Sequence, residues 1–425
     1  MELQTLTDAE HYLEGFLNLE RTRGFDYERL GLSRIRALLE AVGHPEEGLP
    51  CVHIAGSKGK GSVALAVESL LLGAGLRIGT YTSPHLETWQ ERFRIGGAPV
   101  AESQLVAALR RLQAAAERQR ADPDLRPSFF DVSTALALLL FREAGVDAAV
   151  VEVGLGGRLD STNVVESRVS VLTSVQLEHT DKLGSTLEKI AREKAGILRS
   201  GVPLVYAPLA HEAMAAVMAR AVAENTPLDE VSPAHSELSE RGLRLRLSDK
   251  REVFAPVLGR CQATNLALAI RAVEQFLGRS LLSHELKSLE GLRLPARIER
   301  FGQVVLDSAH TPDSARELRE TLQVIWPERS WVLVVSISRD KDAAQVIEEL
   351  APPTRAAVIT RAEPLRSESP EALAALARAA GIEQVVVRSD PKRALAWARE
   401  QLCPGEALVL TGSVYLAGAL RSSLT

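Results

Sequence analysis

At 425 residues the chain is too long for one ordinary hydrophobic core and is expected to fold as two domains, each burying its own. Lysines and arginines number 50 against 55 acidic residues, a formal charge of -5, which excludes a basic nucleic-acid surface and makes any anion site local. Three cysteines, Cys51, Cys261 and Cys403, show neither metal-ligand spacing nor a pairing pattern and read as buried small hydrophobes of a reducing compartment.

In chain order, residues 8–42 read as helical with a break near Gly24, one stripe carrying Tyr12, Leu13, Phe16 and Leu17 and another Leu32, Ile35, Leu38 and Leu39. The apolar run Cys51–Ala55 is a short strand, and residues 62–72 have helical spacing, so the glycine-rich stretch His53 to Ser62 joins a strand to a helix. Gly56, Gly59 and Gly61 let the backbone approach an anion, the helix dipole favours it, and Lys60 adds a mobile charge on the outer phosphates of a nucleoside triphosphate. The match to a phosphate loop is imperfect. Its first glycine is missing and Gly61 stands where a metal-binding hydroxyl is expected, so Ser62 must supply it.

Residues 77–81 read as a second strand ending in Thr82-Ser83-Pro84-His85-Leu86, a polar turn of the kind that carries ligands. Residues 91–95 alternate, Gly96-Gly97 turns the chain, 102–119 is helical, and an apolar helix is expected over 133–141. The apolar run at 148–153 is interrupted near its end by Glu152, and a carboxylate at the carboxyl end of an otherwise buried strand is costly unless it meets a cation or metal. The strand at 169–175 likewise ends in polar residues, Gln176, Glu178, His179, Thr180 and Asp181. A helix from Thr186 carries Glu193-Lys194-Ala195-Gly196-Ile197, and 202–206 resumes the strands. Leucines 243, 245 and 247 alternate with arginines, which predicts a small antiparallel pair within 226–258; 262–276 returns to helix. Beyond a short connection at 289–297, strands restart at 304–306, 332–336, 356–360, 384–387 and 407–410. The fold class is α/β: a phosphate-loop, doubly wound, mostly parallel sheet domain over 1–296 and a smaller Rossmann-like α/β domain over 297–425. With no signal-peptide pattern and no membrane-length apolar run, a soluble cytoplasmic protein is expected.

Seven ordered motifs resemble the folylpolyglutamate synthase and dihydrofolate synthase family, within the ATP-dependent amino-acid ligases that include the Mur enzymes. They are the stretches 53–62, 82–86, 91–97, 152–163 (Glu-Val-Gly-Leu-Gly-Gly-Arg-Leu-Asp-Ser-Thr-Asn), 193–197, 338–342 (Ser-Arg-Asp-Lys-Asp) and 411–416 (Thr-Gly-Ser-Val-Tyr-Leu). The resemblance implies that ATP phosphorylates a folate carboxylate, and that the amine of L-glutamate then attacks the acyl phosphate. It assigns Gly56, Ser57, Lys58, Gly59, Lys60, Gly61, Ser62, Gln262, Asn265, Arg297 and Asp307 to ATP, with Lys60, Lys194, Asp307 and His310 among the reacting groups. Magnesium would meet Ser62, Ser83, Glu152 and His179, with a monovalent cation as a further candidate. Lys194 is similar to a family lysine carboxylated by carbon dioxide, which could hold a second metal; a helix lysine paired with Glu193 is the alternative. Phe129, Phe130, Asp131 and Asp160 resemble the parts that meet the pterin, although a core role fits either phenylalanine equally.

Some positions depart from the family pattern: Ser57 and Lys58 for threonine and asparagine, Asp131 for glutamate, Cys261 for histidine or an aromatic, and Ser308 and Thr311 for glycine and asparagine. Small-molecule substrates, a monomer, and an active site between the two domains are expected. The rival readings are a ligase for another carboxylate and a nucleotide-dependent switch without turnover.

Overall fold

The computed structural model describes residues 2–18, 27, 31–233, 235–364 and 366–424. The chain divides into two compact units, 1–233 with 264–291 and 234–263 with 292–425. The sequence reading places one boundary at 296/297 and so assigns 234–263 to the first domain. That segment groups with the second unit because Leu238 packs against its core and Glu240 is ion-paired with Arg300 at 2.9 Å.

The first unit is built on eight strands: β1 (Cys51–Ala55), β2 (Ile78–Tyr81), β3 (Phe93–Ile95), β4 (Ala98–Pro99), β5 (Ala148–Glu152), β6 (Ser167–Leu172), β7 (Leu204–Tyr206) and β8 (Leu228–Glu230). Their order is β4-β3-β2-β5-β1-β6-β7-β8. The pairs β2/β3 and β3/β4 are antiparallel and all others parallel. The central strands β1 and β5 are buried at every position, which is why their sequences are apolar runs without alternation. Since β1 lies between β5 and β6, the chain leaves it at the point where strand order reverses, the usual place for a ligand crevice. Helices Leu6–Glu14, Ser33–Ala41, Glu102–Arg120 and Phe129–Ala144 contribute to one core, and Leu187–Lys194 with His211–Glu224 to another.

Several local expectations change. The helix expected from residue 133 starts at Phe129, because Ser128 caps it and Asp131 closes a capping box. Leu17 leaves the stripe of Tyr12, Leu13 and Phe16 and is 48% exposed, since the first helix ends at Glu14. The break expected near Gly24 lies outside the described residues. Within 226–258, β8 joins the first sheet. The remainder forms three antiparallel strands, not two: β9 (His235–Ser239), β10 (Gly242–Arg246) and β11 (Glu252–Ala255). Of the cysteines only Cys51 is buried; Cys261 opens a helix and Cys403 sits in the turn before a strand, and both are exposed.

The second unit carries β12 (Glu299–Phe301), β13 (Val304–Leu306), β14 (Trp331–Val335), β15 (Thr354–Ile359), β16 (Gln384–Val387) and β17 (Ala407–Thr411), in the order β12-β13-β17-β14-β15-β16. Only β12/β13 is antiparallel. Among the described residues no helix is long and apolar enough to cross a membrane.

Candidate active site

The phosphate loop is a consequence of where glycine is tolerated. At Gly56, φ is +151° and any Cβ would collide with Thr173 Oγ1 at the end of β6. Gly59, with φ +85°, caps helix Lys60–Gly73 without a side-chain hydrogen bond, so the amides of the first turn remain for an external anion. The Ser57 N–H donates to Ser174 O and the Lys58 N–H to Ser174 Oγ, both at 2.9 Å. Those two loop residues are therefore anchored to the protein through their amides. Lys60 curls back, its Nζ donating to Gly56 O at 2.9 Å. Asn265 packs on the loop: a Cβ at Gly59 would lie 2.5 Å from its Oδ1.

Glu152 ends β5 beside that turn and is 4% exposed. Its Oε2 accepts the Ser83 N–H at 3.1 Å, and a Cβ at Gly61 would lie 3.5 Å from the same oxygen. Ser62, also buried, follows in the first turn of the helix. The structure thus brings Ser83 and Glu152 together at the ends of adjacent strands, with Ser62 in the first turn of the helix that follows β1. His179 adopts a left-handed conformation with φ 46° at the start of the short helix Thr180–Leu183 and is exposed. Among the described residues no three His, Cys, Asp or Glu side chains converge as a metal cluster.

Lys194 is 2% exposed and its Nζ lies 2.9 Å from Glu178 Oε1. Burial, opposed by Glu178 and reinforced by the charge of Lys60, pulls its amine down to about 8. Glu178 is also partly desolvated, which works against its charge, but Lys194 and Lys60 prevail and hold it below its usual range. The helix pairing with Glu193 is not formed; Glu193 binds Arg158 at 2.9 Å. Glu178 is the residue that sequence reasoning left without a role, and its signal was its place beside His179 in a polar strand end.

Phe129, Phe130, Asp131 and Asp160 are gathered into one region. The two rings are buried in the main core, Phe129 beneath Arg92 at 5.1 Å and Phe130 5.9 Å from Tyr81. Asp131 accepts from Ser128 Oγ at 2.7 Å and from Ser161 Oγ at 2.6 Å. Asp160, 5% exposed, accepts the Leu155 N–H at 2.8 Å, the Thr162 N–H at 3.0 Å and the Thr162 hydroxyl at 2.5 Å. Burial pushes Asp160 up to about 6, against the pull of these donors.

In the second unit, Asp307 is buried and accepts the Ile298 and Ala309 N–H groups at 2.8 and 2.7 Å. Burial raises it, while Arg297 and those amides oppose the rise. Arg297 lies between two residues of positive φ, Ala296 (51°) and Ile298 (50°), a conformation a β-branched residue adopts only under constraint. Ser308, where the family pattern has glycine, accepts from the Arg297 guanidinium. His310 bonds Ser308 O through Nδ1 at 2.8 Å, so Nδ1 carries the proton. Gln262 is buried near the start of helix Cys261–Leu277 and belongs to the second unit, whereas Asn265 belongs to the first.

Residues 296–414 match the family described as Mur ligase, glutamate ligase domain. The folylpolyglutamate synthase of Lacticaseibacillus casei is 32% identical over 434 residues, covering 98% of each chain. The dihydrofolate synthase/folylpolyglutamate synthase of Mycobacterium tuberculosis is 34% identical, with 92% of this chain and 89% of that one covered. A crystal structure of Mycobacterium tuberculosis folylpolyglutamate synthase complexed with ADP and AMPPCP superposes with a TM-score of 0.89 at 31% identity, covering 99% of this chain and 98% of that one. Identity at this level along almost the entire chain, together with the shared fold, establishes that the protein belongs to the folylpolyglutamate synthase/dihydrofolate synthase family.

Proposed function

We propose that the chain is an ATP-dependent ligase that joins L-glutamate to a folate, and also to dihydropteroate, through an acyl phosphate, acting as a cytoplasmic monomer. The observation that carries the reading is the convergence, at the strand-order reversal, of an uncapped helix N-terminus, Lys60 and the buried Glu152. A carboxylate oxygen of the folate attacks the γ-phosphorus of ATP and ADP leaves. The glutamate amine then attacks the acyl carbon, phosphate departs, and the amine gives up a proton as the amide forms. Both steps bring anions together, so fixed positive charge and positioning matter more than covalent help from the protein. The first-turn amides of Lys60–Gly73 hold the phosphates, and Lys60 swings from Gly56 O to the transferring group.

Hard oxygen donors at Ser62, Ser83 and Glu152 fit magnesium, a cation that takes one or two carboxylates and keeps waters; His179 would complete the set. When bound, magnesium supplies charge neutralisation across the outer phosphates. Lys194, buried and partly neutral near pH 8, fits the lysine that carbon dioxide converts to a carbamate. In the second unit Arg297 and Asp307 are assigned to the nucleotide and His310 to the reacting groups. Phe129, Phe130, Asp131 and Asp160 are assigned to the pterin.

The test is phosphate release from ATP with L-glutamate, run separately with dihydropteroate and with tetrahydrofolate. Glutamate-dependent release with both supports the dual activity. Release with tetrahydrofolate alone restricts the enzyme to folate extension, and nucleotide binding without turnover refutes the ligase.

A further inference from the structure

A histidine in the middle of a buried strand needs a reason. His53 is fully buried within the apolar strand β1, and among the described residues its Nδ1 has no hydrogen-bond partner. Leaving a buried polar atom unsatisfied destabilises the fold, and an aliphatic side chain would avoid that cost. Its other nitrogen, Nε2, lies 2.9 Å from Thr162 Oγ1. The Thr162 hydroxyl has one proton and gives it to Asp160 Oδ1, so towards His53 it acts as acceptor and Nε2 must carry the ring proton. Burial holds the ring neutral, its pKa pulled down to about 3. The result is a one-way chain of donors from β1 through Thr162 to Asp160.

Asp160 Oδ1 takes two donors, the Thr162 amide and hydroxyl, while among the described residues Oδ2 takes only the Leu155 amide. Among the described residues one acceptor position on Oδ2 is left over. A few residues away, Asp131 accepts from Ser128 and Ser161, and its charge disfavours ionisation of Asp160. The donors on Oδ1 offset that repulsion and keep Asp160 an acceptor.

We propose that Thr162 and His53 are positioning residues for substrate recognition, holding Asp160 so that Oδ2 accepts a hydrogen bond from an N–H or amino group of the substrate's heterocycle. The proposal rests on the assignment of Asp160 to the folate site. Because His53 lies on the strand that leads three residues later into Gly56, the same chain ties this loop to the base of the phosphate loop.

The experiment compares steady-state KM for tetrahydrofolate and for ATP in Asp160→Asn, Thr162→Val, Thr162→Ser and His53→Leu, each first checked for folding by circular dichroism and thermal melting. Thr162→Val is expected to raise KM for the folate about 10-fold, the loss of one hydrogen bond to a charged group, with KM for ATP within about 2-fold of the parent. Thr162→Ser keeps the hydroxyl and should recover most of that loss. His53→Leu should raise the folate KM about 3-fold without lowering the melting temperature, since it removes an unsatisfied buried nitrogen. If Thr162→Val melts too low to assay, the His53→Leu result decides. Parental folate KM in both variants, or an equal rise in both KM values that serine does not rescue, overturns the proposal. An unchanged folate KM in Asp160→Asn instead overturns the folate-site assignment on which it rests, so the two failures are distinguishable.

Discussion

Two glycines two residues apart in the phosphate loop should answer to alanine in opposite ways. At Gly59 the backbone is left-handed, φ +85°, which costs an L-residue about 1–2 kcal/mol. The added Cβ would also lie 2.5 Å from Asn265 Oδ1 and 3.1 Å from its Cγ, so the carboxamide must turn away from the loop. Together these predict a destabilisation of about 1.5–3 kcal/mol and a raised KM for ATP. Gly61 has ordinary helical backbone, and its nearest neighbour would be Glu152 Oε2 at 3.5 Å, a normal contact. Gly61→Ala should therefore leave stability unchanged or raise it by up to about 1 kcal/mol through helix propensity. Its methyl group would occupy the space in front of the Glu152 carboxylate and raise the magnesium needed for half-maximal activity. Chemical denaturation followed by circular dichroism, with ATP and magnesium titrations of phosphate release, separates the two. Equal stability of Gly59→Ala and Gly61→Ala would refute the assignment of strain and crowding to residue 59.

Lys60→Ala should fold normally yet lose about 100-fold or more in turnover at saturating ATP, as expected when a preorganised charge is removed; near-parental turnover would exclude its role on the phosphoryl group. Glu152→Gln keeps size and hydrogen bonding but removes charge, so the magnesium requirement should rise markedly, and an unchanged requirement would exclude direct metal contact. If Lys194 is carboxylated, stripping carbon dioxide from the buffer should lower activity and bicarbonate should restore it. The reaction needs the neutral amine, so at a fixed concentration of dissolved carbon dioxide recovery should be faster above pH 8 than below it. Glu406 is held down to about 2 by Arg355, assisted by Ser330 and the Cys403 amide. A carboxylate depressed below its ordinary 4.5 stabilises the fold above that pH and loses the contribution as pH falls toward 2. Glu406→Gln should therefore cost about 1–2 kcal/mol at neutral pH, with the gap to the parent closing between pH 4.5 and 2 in urea denaturation.

Local chemistry in the sequence was enough to indicate the α/β class, the phosphate loop and the polar strand ends. Gly56, Gly59, Lys60 and Ser62 are contiguous, and a buried parallel strand such as β1 or β5 announces itself as an apolar run because both its faces are covered. Capping was also local: Ser128 with Asp131 starts a helix four residues before the apolar pattern indicates, and only the hydrogen-bond geometry makes that plain. Tertiary structure decided the rest, because it concerns pairs far apart in the chain. Lys194 meets Glu178 and not its neighbour Glu193, since the helix turns the two side chains to different faces. The segment 234–263 groups with a core that begins some thirty residues later, a matter of packing that composition does not record. Thr162 reaches His53 across 109 positions because β1 lies beside β5, whose following loop carries Asp160 and Thr162. Strand order is set by the burial of whole surfaces, so the contacts it creates belong to the folded chain and to no single stretch of it.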